Sequence, residues 1–335
     1  MTGRGRYLLG KAVWAIVVVF VVITFNFFLF RVLPGDPAKA GSRDPRLSPE
    51  SIIALRERFG LGKPVFLNFE DGNPFDSQYF AYLGALSRGD LGMSYAFRDE
   101  PVAELIGRAL VNTIWLILPA QILAIVFGTA LGLVAAWRRG TSLDVVALTF
   151  SLFMWSLPTF FLAILLLVFG ASYLDLPTAG RVTIGVTYGS FWEELVDIAR
   201  HLAMPTLSFT LVLLGEYMLI MRSTVLEVFS EDYILTAKAK GLSTFRIIKD
   251  HALRNAMLPM VTLIAINLAF TVSGAIQVEQ VFSWPGIGNM TVDAVAQRDY
   301  PVLQGAFLLI AVAVVLANLV ADMVYGWLDP RVTTA

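Results

Sequence analysis

The chain has 335 residues, 57% of them hydrophobic and 15% charged, with 25 basic and 26 acidic side chains for a net charge of −1. Its mean hydropathy of +0.70 lies far above that of a water-soluble domain and puts the chain in a bilayer. There is no cysteine and only His201 and His251, which removes disulfides, thiolate metal sites, iron–sulfur clusters and cysteine nucleophiles and leaves no zinc-catalysis pattern. No nucleic-acid partner is expected.

Arg4, Arg6 and Lys11 stand at the start of the first apolar run, 8–30. Gly5, Gly10 and Lys11 repeat the spacing of a phosphate-binding loop, but Ala12 replaces the hydroxyl residue that holds magnesium, and an apolar span begins at once. The chain is expected to hold no nucleotide. The run exceeds the roughly 7 to 15 residues of a secretory signal, so it is expected to remain as an anchor, despite the processing-like triplet Ala38-Lys39-Ala40.

Residues 31–111 are too polar to span and too many for a turn, so they are expected outside the membrane. Ser48 and Pro49 can open a helix whose apolar side is Ile52, Ile53, Leu55 and Phe59, with Gly60 ending it. Five more apolar runs follow at 112–137, 145–169, 202–221, 259–281 and 303–328. Each approaches or exceeds the roughly 20 residues needed to cross about 30 Å of hydrocarbon. The fold class is therefore all-α and polytopic, with six crossings. The expected divisions are 1–30 (tail and first span), 31–111 (extracytoplasmic) and 112–335 (five-helix core). Lys and Arg of short loops are retained inside, which places the N-terminus, Arg138, Arg139, the 222–258 segment and Arg331 on the cytoplasmic side.

Ionisable groups inside spans are costly and default to the transport path. Glu216 in the fourth run and Glu279 with Gln277 in the fifth are candidates, and Asp322 is an expected inner-end ion-pair partner. Asn267, with Asn26, Gln121 and Asn318, can line a wet route or bond neighbouring helices.

Between the fourth and fifth runs, EDYILTAKAKGLSTFRIIKDHALRNAMLP (231–259) is polar, basic and punctuated as two short helices. Ser230 can cap the first, whose N-terminal dipole suits Glu231 and Asp232; Lys238 and Lys240 suit its other end, and Gly241 ends it. Ser243 can cap a second helix that runs toward Pro259.

This segment resembles the cytoplasmic EAA loop of ATP-binding cassette importer permeases. Leu235, Thr236 and Ala237 hold the motif's first positions, Gly241 its glycine and Leu258-Pro259 its end; HALRNAMLP is similar to the dipeptide/oligopeptide branch. LFRVLPGDP at 29–37, LGKP at 61–64, GDLGMS at 89–94 and FSWPGIGN at 282–289 resemble the same branch. The insertion at 65–77 departs from it, and reads as an exposed loop extension more readily than as a contact for a binding protein.

The resemblance implies a transmembrane permease subunit that translocates peptides by alternating access. Implied partners are a related second permease, two cytoplasmic ATPase subunits holding ATP and magnesium, an extracytoplasmic peptide-binding protein, and lipid. It implies that Glu231, Asp232, Leu235, Thr236, Ala237, Lys238 and Gly241 couple to the ATPase, with Gly241 and Ala237 making the close approach. Glu216, Asn267, Gln277 and Glu279 are the candidate translocation path. The alternatives are a permease for nickel or another small solute and, from another class, a proton-driven secondary transporter.

Overall fold

The computed structural model describes residues 3–32, 62–69, 73–96, 100–271 and 276–328. The expected helix after Ser48, the Ala38–Ala40 triplet and the side chain of Asp322 lie outside what is described. Helices dominate, and the strand-like pairing is a single Met93–Pro101 bridge among the described residues.

In chain order the helices are α1 (Gly3–Val32), α2 (Gln78–Leu86), α3 (Val102–Trp137), α4 (Ser142–Ser156), α5 (Thr159–Tyr173), α6 (Phe191–Val228) and α7 (Asp232–Ala239). Next comes α8 (Thr244–Ile247), which passes through a π-turn at Ile248–Ala252 into α9 (Leu253–Thr271). The last are α10 (Ile276–Val281), α11 (Ile287–Gln297) and α12 (Tyr300–Leu328).

Among the described residues, four helices are long and apolar enough to cross a membrane: α1 over Leu9–Arg31, α3, α6, and α12 over Tyr300–Val320. The expected third span, 145–169, is not one straight helix. Leu157 adopts extended backbone (ψ 135°) before Pro158, because the proline ring clashes with a helical predecessor and its nitrogen has no proton to donate. The result is the pair α4 and α5, bent by 103°, which counts as a fifth candidate span if taken as one. The fifth expected run, 259–281, divides into α9, the undescribed residues 272–275, and α10.

Two helices start earlier than their apolar runs. α3 begins at Val102 rather than near 112, and α6 at Phe191 rather than near 202. Ser190 caps α6 by accepting from the Glu193 N–H at 3.3 Å, while the Glu193 carboxylate accepts from Gly189 N–H at 2.8 Å, a near relative of the capping box. With 36 and 38 residues, α3 and α6 run to about 54 and 57 Å at 1.5 Å per residue, so both project beyond the hydrocarbon.

These two helices form the central pair because α3 carries Gly128 and Gly132 one turn apart. A methyl at Gly132 would lie 2.6 Å from the Met218 carbonyl and 2.8 Å from Met221 Cβ; one at Gly128 would lie 2.7 Å from Tyr217 Cβ. Paired small residues let two helix backbones touch where lipid supplies no hydrophobic drive between helices. Around this seam Ala124, Ala136, Tyr217, Met221, Val225, Ala256 and Met260 form a buried core. α4 crosses α6 at Gly215, where a methyl would lie 2.5 Å from the Ser151 carbonyl. α1 packs on α12, pinned by the buried Asn26 donating to the Gln304 carbonyl at 2.8 Å.

Candidate functional site

α3 gives the bundle two distinct ends. Its start meets Phe30, Ala294, Val302 and Leu303, and its end meets the 229–252 segment, where Trp137 and Phe245 rings approach to 6.4 Å.

At this second end, α6 runs straight into a compact knob. Val228, Ile234, Ala237, Ile247 and Ala252 bury one another, with Phe229 and Leu242 packed on them. The knob thus has its own small core. α7 stops with a Schellman arrangement: Leu242 N–H bonds to the Ala237 carbonyl at 3.3 Å and Gly241 N–H to the Lys238 carbonyl at 2.9 Å. The left-handed φ of +75° at Gly241 is the conformation this closure requires and the reason glycine stands there.

Several residues sit differently from their expected places. The N-cap of α7 is Glu231 rather than Ser230, whose hydroxyl instead donates to the Glu227 carbonyl at 2.6 Å. Ser243 occupies the N-cap of α8 without a side-chain capping bond. The second loop helix runs on past Pro259, which lies inside α9, so α8 and α9 form one helical run through the π-turn as far as Thr271. Ala237 faces the knob's interior at 5% exposure and cannot itself be the outward contact. The outward face holds Glu231, Asp232, Leu235, Thr236 and Lys238, with Leu235 55% and Phe245 61% exposed. Lys238 Nζ lies 5.8 Å over the Phe229 ring.

Just above the knob, Arg222 of α6 grips Asp144 of α4 in a two-pronged ion pair, Nε to Oδ1 at 2.6 Å and a terminal nitrogen to Oδ2 at 2.9 Å. The Asp144 side chain is 5% exposed, and Gly140 N–H adds a bond to Oδ2 at 2.9 Å. The pair ties the broken α4–α5 unit to the helix that enters the knob.

Of the candidate path residues, the structure joins two. The Asn267 amide donates to Glu216 Oε2 at 3.1 Å and to Tyr217 Oη at 3.2 Å, and Gln121 Nε2 donates to the same Tyr217 hydroxyl at 2.7 Å. Gln121 and Tyr217 are buried, while Glu216 and Asn267 are partly exposed. The cluster links α3, α6 and α9 in mid-bundle and presents one carboxylate at its edge.

Glu279 and Gln277 stand apart from it. Gln277 is exposed on α10, whereas Glu279 is fully buried. The Glu279 carboxylate accepts from Thr113 Oγ1 at 2.9 Å and Asn289 N–H at 3.0 Å, and Thr113 Oγ1 in turn accepts from Ile287 N–H at 2.8 Å. Trp284 Nε1 bonds to the Asn112 carbonyl at 2.8 Å. Glu279 therefore staples the SWPGIGN turn to α3 and does not line an open route in this structure. A methyl on Gly286 would overlap its carboxylate, so Gly286→Ala is expected to destabilise the protein by about 2 kcal/mol, a typical overpacking cost. In a Glu279→Ala background the same change should cost less, read as coupling in a double-mutant cycle of unfolding in detergent.

Asp299, which drew no attention as a sequence feature, is also fully buried. It accepts from Tyr95 N–H at 3.1 Å, from Ala96 N–H at 3.0 Å and from the Ser94 hydroxyl, and its own carbonyl accepts the Leu303 N–H that opens α12. An acidic residue just before an apolar run was the available signal.

Comparison with known proteins matches residues 128–334 to the family described as binding-protein-dependent transport system inner membrane component. Residues 5–117 match the N-terminal component of such systems. The chain is 36% identical over 327 residues to the di/tripeptide transport system permease protein DppB of Pseudomonas aeruginosa, covering 93% of this chain and 94% of that one. It is 35% identical over 331 residues to the dipeptide transport system permease protein DppB of Escherichia coli K12, with the same coverage. Among solved structures, a chain of the inward-facing MetNI methionine ABC transporter superposes with a TM-score of 0.55 at 16% identity, over 69% of this chain and 99% of that one, a likeness of fold. Both the matched length and the level of identity are sufficient: the chain is a multi-pass membrane protein and belongs to the family of binding-protein-dependent transport system inner membrane components.

Proposed function

We propose that the chain is the permease subunit of a peptide importer, crossing the membrane six times with both ends cytoplasmic, and that the 229–252 knob is where partner ATPases grip it. The observation that carries this reading is the knob itself: a polar, basic projection with a private core, a glycine-closed helix and exposed Leu235 and Phe245. A mere connecting turn needs none of these. An exposed apolar side chain on a rigid short helix suits a groove on a partner, the helix-in-groove mode. The relatives named for dipeptide and di/tripeptide transport support peptides as cargo.

In this reading a related second permease completes the pore and an extracytoplasmic binding protein delivers the peptide. The two ATPase subunits hold ATP and magnesium, so this chain is not itself an enzyme. Closure of the ATPases moves α7 as a unit, because Ile234 and Ala237 lock it to Val228 at the end of α6 and to Ala252 in the π-turn that leads into α9. Displacement of the knob thereby tilts two bundle helices together. Coupling is reciprocal, so whatever favours the outward-facing pore must also favour ATP closure. The Glu216–Asn267 cluster is the part of the joint α6–α9 surface that peptide would pass.

The test is Leu235→Asp. Leu235 supports no core, so the variant should fold and assemble, yet ATP-dependent peptide uptake should fall about tenfold, the effect of losing roughly 1.4 kcal/mol of contact. Uptake and stimulated ATP hydrolysis equal to wild type would move the coupling surface elsewhere.

A further inference from the structure

At the end of the bundle opposite the knob, a cavity of about 300 Å³ opens where α1, α2 and α12 meet. Arg31, Tyr82, Asp90, Tyr95 and Gln304 are among its lining residues. Apart from the Asp90 carboxylate and the Gln78 amide oxygen, its polar side chains offer donors. Arg31 is partly buried and its guanidinium lies 5.2 Å over the Phe27 ring; no carboxylate or carbonyl among the described residues accepts from it. Tyr82 Oη and Gln304 Nε2 are both buried; the Gln304 amide faces the Tyr82 hydroxyl, and neither bonds to any other group among the described residues. Burial pushes the hydroxyls of Tyr82 and Tyr95 up to about 12, so both stay protonated donors through the physiological range.

The frame around these donors is rigid. Asn26 fixes α12 against α1 through the Gln304 carbonyl, and Asp299 holds the backbone of Tyr95 and Ala96. Among the described residues, the Arg31 guanidinium fork and the Tyr82 hydroxyl have no carboxylate or carbonyl to donate to, and such a pair of donors wants an oxyanion acceptor. The volume exceeds that of a bare ion and reaches the lower bound of small-ligand pockets, about 300 Å³. Asp90, held by Gly92 N–H at 2.8 Å, gives the lining its one negative charge beside the one positive charge of Arg31. Such a pair suits a zwitterion.

We infer that this cavity receives the terminal carboxylate of a short peptide, with Arg31 as its ion-pair partner and Tyr82 and Gln304 as added donors. The assignment rests on the peptide-importer reading and deepens it. It gives the delivery end of this chain a contact with the cargo, separate from the mid-bundle cluster.

The experiment is equilibrium binding of trialanine and of its C-terminal amide to the full-length chain in neutral lipid discs. Wild type should bind the free acid at least about tenfold more tightly than the amide, the scale for unpairing a desolvated charge. Arg31→Gln should lose that preference. Tyr82→Phe, which removes only a hydroxyl, should weaken acid binding several-fold and serves if Arg31→Gln does not fold. Equal binding of acid and amide, an undiminished preference in both variants, or no saturable binding by wild type overturns the assignment. ATP-dependent uptake of the same peptides by the assembled transporter separates the two levels: uptake without discriminating binding removes the site and leaves the importer, and absence of uptake removes both.

Discussion

Gly132→Leu is expected to destabilise the protein by about 3 kcal/mol or more, the upper range for overpacking a tight contact. The α3–α6 seam has no room for a side chain, since even a methyl there would lie 2.6 Å from a backbone carbonyl and 3.1 Å from the Arg222 nitrogen. Backbone atoms cannot rotate away as a flexible side chain would, so the two longest helices must separate. Gly107→Ala is the matched control on the same helix. A methyl at Gly107 would meet nothing within 4 Å, and alanine in an open helix position should gain about 0.5 to 1 kcal/mol over glycine. Denaturant unfolding of the purified variants in detergent reads both signs. Equal stabilities for the two variants would mean that α3 and α6 do not meet at Gly132.

Arg222→Ala is expected to cost about 3 kcal/mol, because it strands Asp144 as a buried carboxylate without its cation. The same holds in reverse for Asp144→Ala. The pair is bidentate, and Asp144 is nearly sealed, which sets it apart from the exposed ion pairs Lys63–Asp76 and Arg108–Glu100 whose removal should change stability by under about 1 kcal/mol. The double variant Asp144→Ala with Arg222→Ala should be milder than the sum of its parts. Because the pair joins the bent α4–α5 unit to the foot of α6, its loss should also reduce ATP-driven uptake beyond what the stability loss explains, measured at matched amounts of assembled complex. Additive single-variant costs would contradict a direct pair.

Much of the architecture was legible in the sequence because bilayer crossing is a constraint on composition and length. The runs at 8–30, 112–137, 202–221 and 303–328 each correspond to a long apolar helix, and Gly241 stands at the left-handed turn its position implied. What escaped has a common cause. Pro158 sits within an unbroken apolar stretch, so hydropathy alone drew one span through a 103° bend. The N-terminal turns of α3 and α6 are polar enough to read as loop, although Ser190 and Glu193 carried a start signal.

The sites were harder to read because a residue type does not reveal its partners. Glu279 looks like a costly charge in a span until Thr113, 166 residues away, is seen to answer it. Gly128 and Gly132 carry the small-residue spacing in plain view, but the helix they receive is specified only by folding. Ala237 shows the reverse case: a small residue in the right motif, turned inward by the period of its own short helix, leaving Leu235 as the outward side chain.

The most direct test of the account is uptake of labelled di- and tripeptides into proteoliposomes that hold this chain with its partner permease, ATPases and binding protein. Uptake that requires ATP, requires the ATPases and falls about tenfold in Leu235→Asp without loss of assembly is the predicted result. Uptake by this chain in the absence of any ATPase, driven by a proton gradient, would contradict it.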